Sequence, residues 1–89
     1  MSMQVQIQSS GLEAKALDHD KKRHIEFLLR QATDNVSSHS SDTEVLYHEL
    51  SYVMNDARRK GYDVIKYTER YRHIIAAREE LTKAWILSH

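Results

Sequence analysis

The segment RRKGYD, residues 58–63, decides the fold because it lies between two stretches with helical periodicity. Its three cations stand before the glycine, where they complement the negative end of a helix. Gly61 can adopt the left-handed conformation that ends helices, Tyr62 can fold back on the preceding turn, and Asp63 can cap the next helix. So short a connection predicts that the two helices are antiparallel neighbours, which makes them a helical hairpin.

One continuous helix is the alternative to this hairpin. The apolar stripe before Gly61 leads through Lys60 into Val64 without a change of heptad spacing, which is typical of a long coiled coil. Such a helix would contain a glycine in its interior, at a cost of about 1 kcal/mol, and a lysine in its seam. The hairpin is favoured because residues 61–63 all suit a turn.

Both helices that flank the turn have defined limits. The second helix is expected over about residues 41–60, since Ser41 and Glu44 form a capping box at its start. The third is expected over about residues 63–87 and has the stronger periodicity, with a heptad seam whose positions are three and four residues apart. The seam of the third helix consists of Val64, Tyr67, Tyr71, Ile74, Arg78, Leu81 and Trp85.

The N-terminal third of the chain is predicted to hold one more helix and a short arm. Ser10 and Glu13 form a capping box, so the first helix is expected over about residues 10–36. Residues 37–41 are rich in serine, which is typical of a loop. Residues 3–8 alternate apolar and amide side chains, so residues 1–9 are expected to be a flexible or strand-like arm before a single helical domain, residues 10–89.

The composition supports an all-α fold. The chain has 89 residues, enough for one domain, with two glycines and no proline. The absence of cysteine excludes disulfides and thiolate sites. No apolar run approaches the roughly 18 residues of a membrane span, and no signal-peptide core is visible, so we expect a cytoplasmic protein without a membrane partner. The sequence therefore predicts an all-α, three-helix domain built on an antiparallel helical hairpin.

Enzymatic chemistry has no support in the sequence. No glycine-rich phosphate loop, nucleophile motif or pair of carboxylates with catalytic spacing is present. The six histidines lack the His-x-x-x-His and Glu-x-x-His spacings of helical metal sites. We therefore expect no enzymatic activity, no cofactor and no metal ion.

The aromatic side chains exceed what a two-helix seam needs, and aromatics with a polar edge are typical of protein contacts. The expected function is a small protein-interaction module, such as a regulator, inhibitor, adaptor or secretion-type chaperone. It would present an apolar and aromatic helical surface as a homodimer or in a helical hetero-complex. The partner-binding residues are predicted to be Phe27, Tyr47, Tyr52, Tyr71, Arg78 and Trp85.

Arg78 has two interpretations, because a long cation in an apolar seam needs a partner or access to water. Its stem can pack while the guanidinium reaches solvent, which makes it a tolerated defect that leucine would improve. Alternatively, it fixes the helix register or receives an acidic group from a partner.

A nucleic-acid-binding transcriptional regulator is the alternative function. Equal numbers of basic and acidic residues, 13 of each, argue against a surface built wholly for nucleic acid. The arm and the cations before Gly61 are nevertheless suited to groove and phosphate contacts. These residues are Gln4, Gln6, Gln8, Arg58, Arg59 and Lys60.

Overall fold

Three helices make up the fold in the computed structural model, which describes residues 15–88. They are α1 (His19–Asp34), α2 (Ser41–Arg59) and α3 (Ile65–Ser88). Within these residues there is no strand, only an isolated bridge between Lys15 and Tyr62. The prediction of an all-α, three-helix fold is confirmed. The predicted arm and the capping box at Ser10 lie outside the described residues.

The turn between α2 and α3 forms as the sequence predicts. Gly61 has φ +89°, in the left-handed region. Its N–H donates to the carbonyl of Arg58, and the N–H of Tyr62 donates to the carbonyl of Ala57, both at 3.0 Å. This pair of bonds is the Schellman motif, which satisfies the last carbonyls of a helix and reverses the chain. One continuous helix through residues 58–64 is therefore wrong.

Side-chain contacts show that α2 and α3 are antiparallel. The rings of Tyr47 and Tyr71 lie 6.4 Å apart, and Arg78 reaches Glu44. Residues farther along α3 therefore contact residues nearer the start of α2, as antiparallel helices require. The hairpin holds, and α1 packs against both of its helices.

The first helix begins later than predicted. The Asp18 carboxylate accepts a hydrogen bond from the Lys21 N–H at 2.8 Å and caps α1, and this bond lowers the pKa of Asp18. Before it, the Lys15 N–H donates to the Gly61 carbonyl and the Lys15 carbonyl accepts from the Asp63 N–H, both at 2.7 Å. The prediction that residues 15–18 belong to the first helix is therefore wrong, because the backbone N–H and carbonyl of Lys15 bond to the turn instead.

The second helix matches its predicted limits, but its cap is one residue earlier than expected. The Ser40 hydroxyl, not that of Ser41, accepts from the Thr43 N–H at 3.2 Å. The Thr43 hydroxyl is buried and donates to Ser38 at 2.8 Å. The serine-rich loop thus closes on the first turn of α2.

The core lies where α1 crosses the hairpin. Leu29 of α1 and Leu50 of α2 are fully buried at its centre. Removing such side chains from water is the main stabilising contribution to the fold. The other buried apolar residues are Ile25, Leu28, Ala32, Tyr47, Met54, Ala57, Val64, Tyr67 and Ile74. Within residues 15–88, no helix has the length and apolarity needed to cross a membrane.

Candidate functional site

Four large apolar side chains are exposed in the last two turns of α3. α3 has 24 residues and α1 has 16, a difference of about 12 Å of helix. Because α1 ends at Asp34, near Arg78, α3 runs on past it. We call the exposed group the tail patch, and its members with their exposed fractions are Leu81 (42%), Trp85 (47%), Ile86 (60%) and Leu87 (88%).

The loop between α1 and α2 supports one side of the tail patch. The rings of His39 and Trp85 have centroids 4.8 Å apart at an interplanar angle of 33°. Such tilted contacts orient an aromatic ring without burying it. Trp85 is therefore positioned while about half of its surface stays accessible.

Arg78 fixes the base of the tail. Its guanidinium donates to the carbonyls of Asn35, Val36 and Ser38, at 3.4, 3.2 and 2.7 Å, and it also pairs with Glu44. These carbonyls lie at the C-terminal end of α1, where the helix dipole favours a cation. With its side chain 11% exposed, Arg78 joins all three helices instead of reaching solvent. This geometry fits the interpretation in which Arg78 fixes the register of the helices.

Tyr47 and Tyr71 lie inside the fold beside Arg78. The Tyr47 hydroxyl donates to the Ala32 carbonyl at 2.7 Å, and the Arg78 guanidinium lies 4.6 Å from its ring centroid. Burial raises the pKa of both tyrosines. The structure thus places Tyr47 in the core and leaves Tyr71 half-buried, so neither presents its full ring to a partner.

Phe27 and Tyr52 are exposed, but on surfaces away from the tail patch. Phe27 lines an open groove of about 520 Å³ between α1 and α2, together with Leu46. On the rim of this groove, the Glu49 carboxylate lies 3.7 Å from His24. The six predicted contact residues therefore do not form one site, and only Trp85 lies in the tail patch.

The basic residues of the alternative function lie at the exposed end of α2. Asp56 accepts from Arg59 at 3.1 Å and from Lys60 at 2.9 Å, and these bonds lower the pKa of Asp56. Arg58 contacts Asn55 instead. Their charge is therefore partly satisfied within α2, while the three glutamines lie outside the described residues. Binding of nucleic acid stays a prediction.

Sequence reasoning missed Ile86 and Leu87 as candidate contact residues. Their signal was the run of three apolar residues at 85–87, which no single helix face can bury. The hydrogen bond from the Tyr67 hydroxyl to Glu26, at 2.8 Å, was also missed; burial and this bond raise the pKa of Tyr67 to about 12. In the described part of the chain, no group of three His, Asp or Glu side chains is arranged to hold a metal ion.

The chain was compared with models of protein families, with curated proteins and with solved structures. None of the three comparisons found a match.

Proposed function

We propose that this protein is a small, non-catalytic protein-interaction module that acts as a regulator, inhibitor, adaptor or secretion-type chaperone. The tail patch is the surface that binds the partner. The partner is a second copy of the chain or another helical protein, and binding takes place in the cytoplasm.

The observation that carries the proposal is the exposure of four large apolar side chains at the end of α3. Large exposed apolar side chains gathered at one end of a helix are typical of protein-interaction sites. Charged residues lie among them, including Glu80 and Lys83, whose side chains are 3.7 Å apart and largely exposed. A patch that combines an aromatic anchor with charged neighbours suits recognition of another helix.

The anchoring of the tail also supports the proposal. Arg78 ties α3 to the end of α1 and to Glu44 of α2, and the His39 ring packs against Trp85. A surface that is already ordered loses less conformational entropy when a partner binds. The last turns of α3 are therefore suited to act as a rigid recognition element.

Site-specific photo-crosslinking tests this function in the cells that naturally produce the protein. A photoreactive amino acid replaces Ile86, which is 60% exposed in the tail patch. The matched control replaces Ile65, which is the same residue type, lies at the other end of the same helix and is 69% exposed. We expect a covalent adduct of discrete mass from position 86 and none from position 65.

Two outcomes would contradict the proposal. The first is the absence of any protein adduct at position 86, and the second is the formation of the same adducts at both positions. The second result would mean that α3 meets other proteins without selectivity.

A further inference from the structure

The groove between α1 and α2 is acidic on its α2 side. Asp42, Leu46 and Glu49 line it and follow one another at intervals of four and three residues, so they lie on one side of the helix. The two carboxylates are two helical turns apart, about 10 Å along the axis, and the leucine lies between them. Both acidic residues are exposed. Among residues 15–88, no lysine or arginine lines this groove.

The charges of Asp42 and Glu49 lack a strong cationic partner in the described part of the chain. Within residues 15–88, neither carboxylate forms an ion pair with a lysine or an arginine. Glu49 lies 3.7 Å from His24, which is longer than a hydrogen bond. The side chains of both residues are about half exposed, so water screens the attraction between them. The groove therefore has two carboxylates available for a cation from outside.

The α1 side of the groove contributes an aromatic ring. Phe27 is 58% exposed, and it shares the groove with Leu46, which is half-buried. Along α1 the groove runs from His24 to Asn35, about 16 Å of helix. It is therefore long enough for three turns of a partner helix, and it combines apolar surface with carboxylates on one side.

The groove on the other side of α1 has the opposite charge. It lies between α1 and α3, has a volume of about 530 Å³, and is lined by Lys66, Arg70 and His73, with Glu69 as the one acid among the described lining residues. Within residues 15–88, neither Lys66 nor Arg70 pairs with a carboxylate. The formal charge of zero thus conceals two grooves that favour ligands of opposite sign.

We infer that the groove between α1 and α2 binds a basic amphipathic helix of another protein. Two cations seven residues apart on that helix reach Asp42 and Glu49, because seven residues are about two turns on either helix. An apolar side chain between the two cations packs against Phe27 and Leu46. This surface is separate from the tail patch, so the inference goes beyond the proposed function.

Charge favours a basic helix over other occupants of the groove. A lysine or arginine is attracted by the two carboxylates and also by the face of the Phe27 ring. An acidic helix is repelled by the same carboxylates. Residues 1–14 of this chain contain one glutamate and no lysine or arginine, so charge does not favour them as the occupant.

Fluorescence anisotropy of a labelled peptide tests the inference with the full chain. The probe is a helix-forming peptide of about 18 residues, rich in alanine and glutamine, with a lysine, a leucine and a second lysine at intervals of four and three residues. We expect saturable binding with a Kd above about 1 µM, since the contact is small. The affinity should fall at least about threefold between roughly 50 and 500 mM NaCl, because salt screens exposed charges.

Substitutions in the groove separate the charges from the apolar contact. The double variant Asp42→Asn with Glu49→Gln removes both charges and keeps the side-chain shapes, so it should weaken binding about fivefold and remove most of the salt dependence. Phe27→Ala should weaken binding by about the same factor and keep the salt dependence. Glu69→Gln and Ile65→Ala are the matched controls, because they change an exposed acid and an exposed apolar residue of α3, which does not line this groove. Both controls should bind the probe like the wild type, and circular dichroism should show equal helix content for all variants.

NMR spectroscopy locates the bound probe. Backbone amide shifts should change most around Phe27, Leu46 and Glu49. The largest changes in the tail patch or in the groove between α1 and α3 would overturn the inference. It would also be overturned by binding that does not saturate by about 1 mM probe, or by a double variant that binds as tightly as the wild type.

Sedimentation equilibrium tests a second copy of the chain as the occupant. The wild type and the Asp42→Asn, Glu49→Gln double variant should have the same mass at every concentration. A wild type that dimerises, and a double variant that does not, would show that the groove holds another copy and would overturn the inference. None of these results depends on adducts at position 86, so this inference and the proposed function can fail separately.

Discussion

The two halves of α3 share one heptad spacing but have opposite surroundings. Tyr67 and Ile74 in the first half are buried, while Leu81 and Trp85 in the second half are exposed. Arg78 lies between the halves and binds the end of α1. Periodicity thus identifies residues that share a face, but the lengths of the neighbouring helices decide which part of that face is covered.

The largest contrast should appear when each half loses one apolar side chain. Ile74→Ala leaves a cavity in the core and should lower the free energy of unfolding by about 2–4 kcal/mol. Leu81→Ala, 42% exposed in the wild type, should lower it by less than about 1 kcal/mol. Urea unfolding of dilute protein measures both values without a contribution from association. Equal losses would show that the two halves are equally buried in solution.

The boundary between the halves is tested by Arg78→Met, which keeps the apolar stem but removes the guanidinium. We expect a loss of about 2 kcal/mol, because three backbone carbonyls lose their donor. Glu44→Gln is the control and should cost no more than about 1 kcal/mol, since Glu44 is 59% exposed. A more stable Arg78→Met protein would mean that the arginine is only tolerated in the seam.

The buried half also contains a hydroxyl whose loss should have a smaller effect. Tyr67→Phe removes the hydrogen bond to Glu26 and should lower the free energy of unfolding at neutral pH by about 1 kcal/mol. Thermal unfolding compared with the wild type measures this loss. A variant as stable as the wild type would show that the bond contributes nothing.

The same variant should change how stability depends on alkaline pH. Because the pKa of Tyr67 is about 12 in the folded chain and 10.0 ordinarily, the folded state keeps a proton that the unfolded state loses. This contribution is complete below pH 10 and is lost as the pH rises through 12. The wild type should therefore lose stability more steeply than Tyr67→Phe across that window. Parallel curves would contradict the raised pKa.

The smallest effect is expected at the tip of the exposed half. Leu87→Ser changes a side chain that is 88% exposed and should alter the free energy of unfolding by no more than about 0.5 kcal/mol. A large loss of stability would mean that the last turn packs against the rest of the molecule in solution.

Local chemistry made much of this fold predictable. Gly61, Tyr62 and Asp63 act within a few residues of one another, so their sequence alone predicted the turn and the hairpin. The limits of α2 followed in the same way from its serine-rich start and its basic end. These signals are short-range, and distant packing did not override them.

The start of α1 and the composition of the candidate site were not predictable in this way. The backbone of Lys15 is extended because it forms hydrogen bonds with Gly61 and Asp63, which lie 46 and 48 positions farther along the chain. No local sequence pattern contains such a pairing. Tyr47 was predicted to bind a partner, but its hydroxyl donates to the Ala32 carbonyl in the core. The tail patch depends on where α1 stops relative to α3, which is a property of the packed helices.

The attachment of Lys15 to the turn has a practical consequence for handling the protein. Its backbone binds Gly61 and Asp63, next to the first residue of α3, whereas Trp85 lies about 30 Å away near the other end of that helix. A label or carrier joined before residue 15 therefore enters the bundle at the pole opposite Trp85. One joined after residue 88 begins beside Trp85 and would compete with a partner for the tail patch.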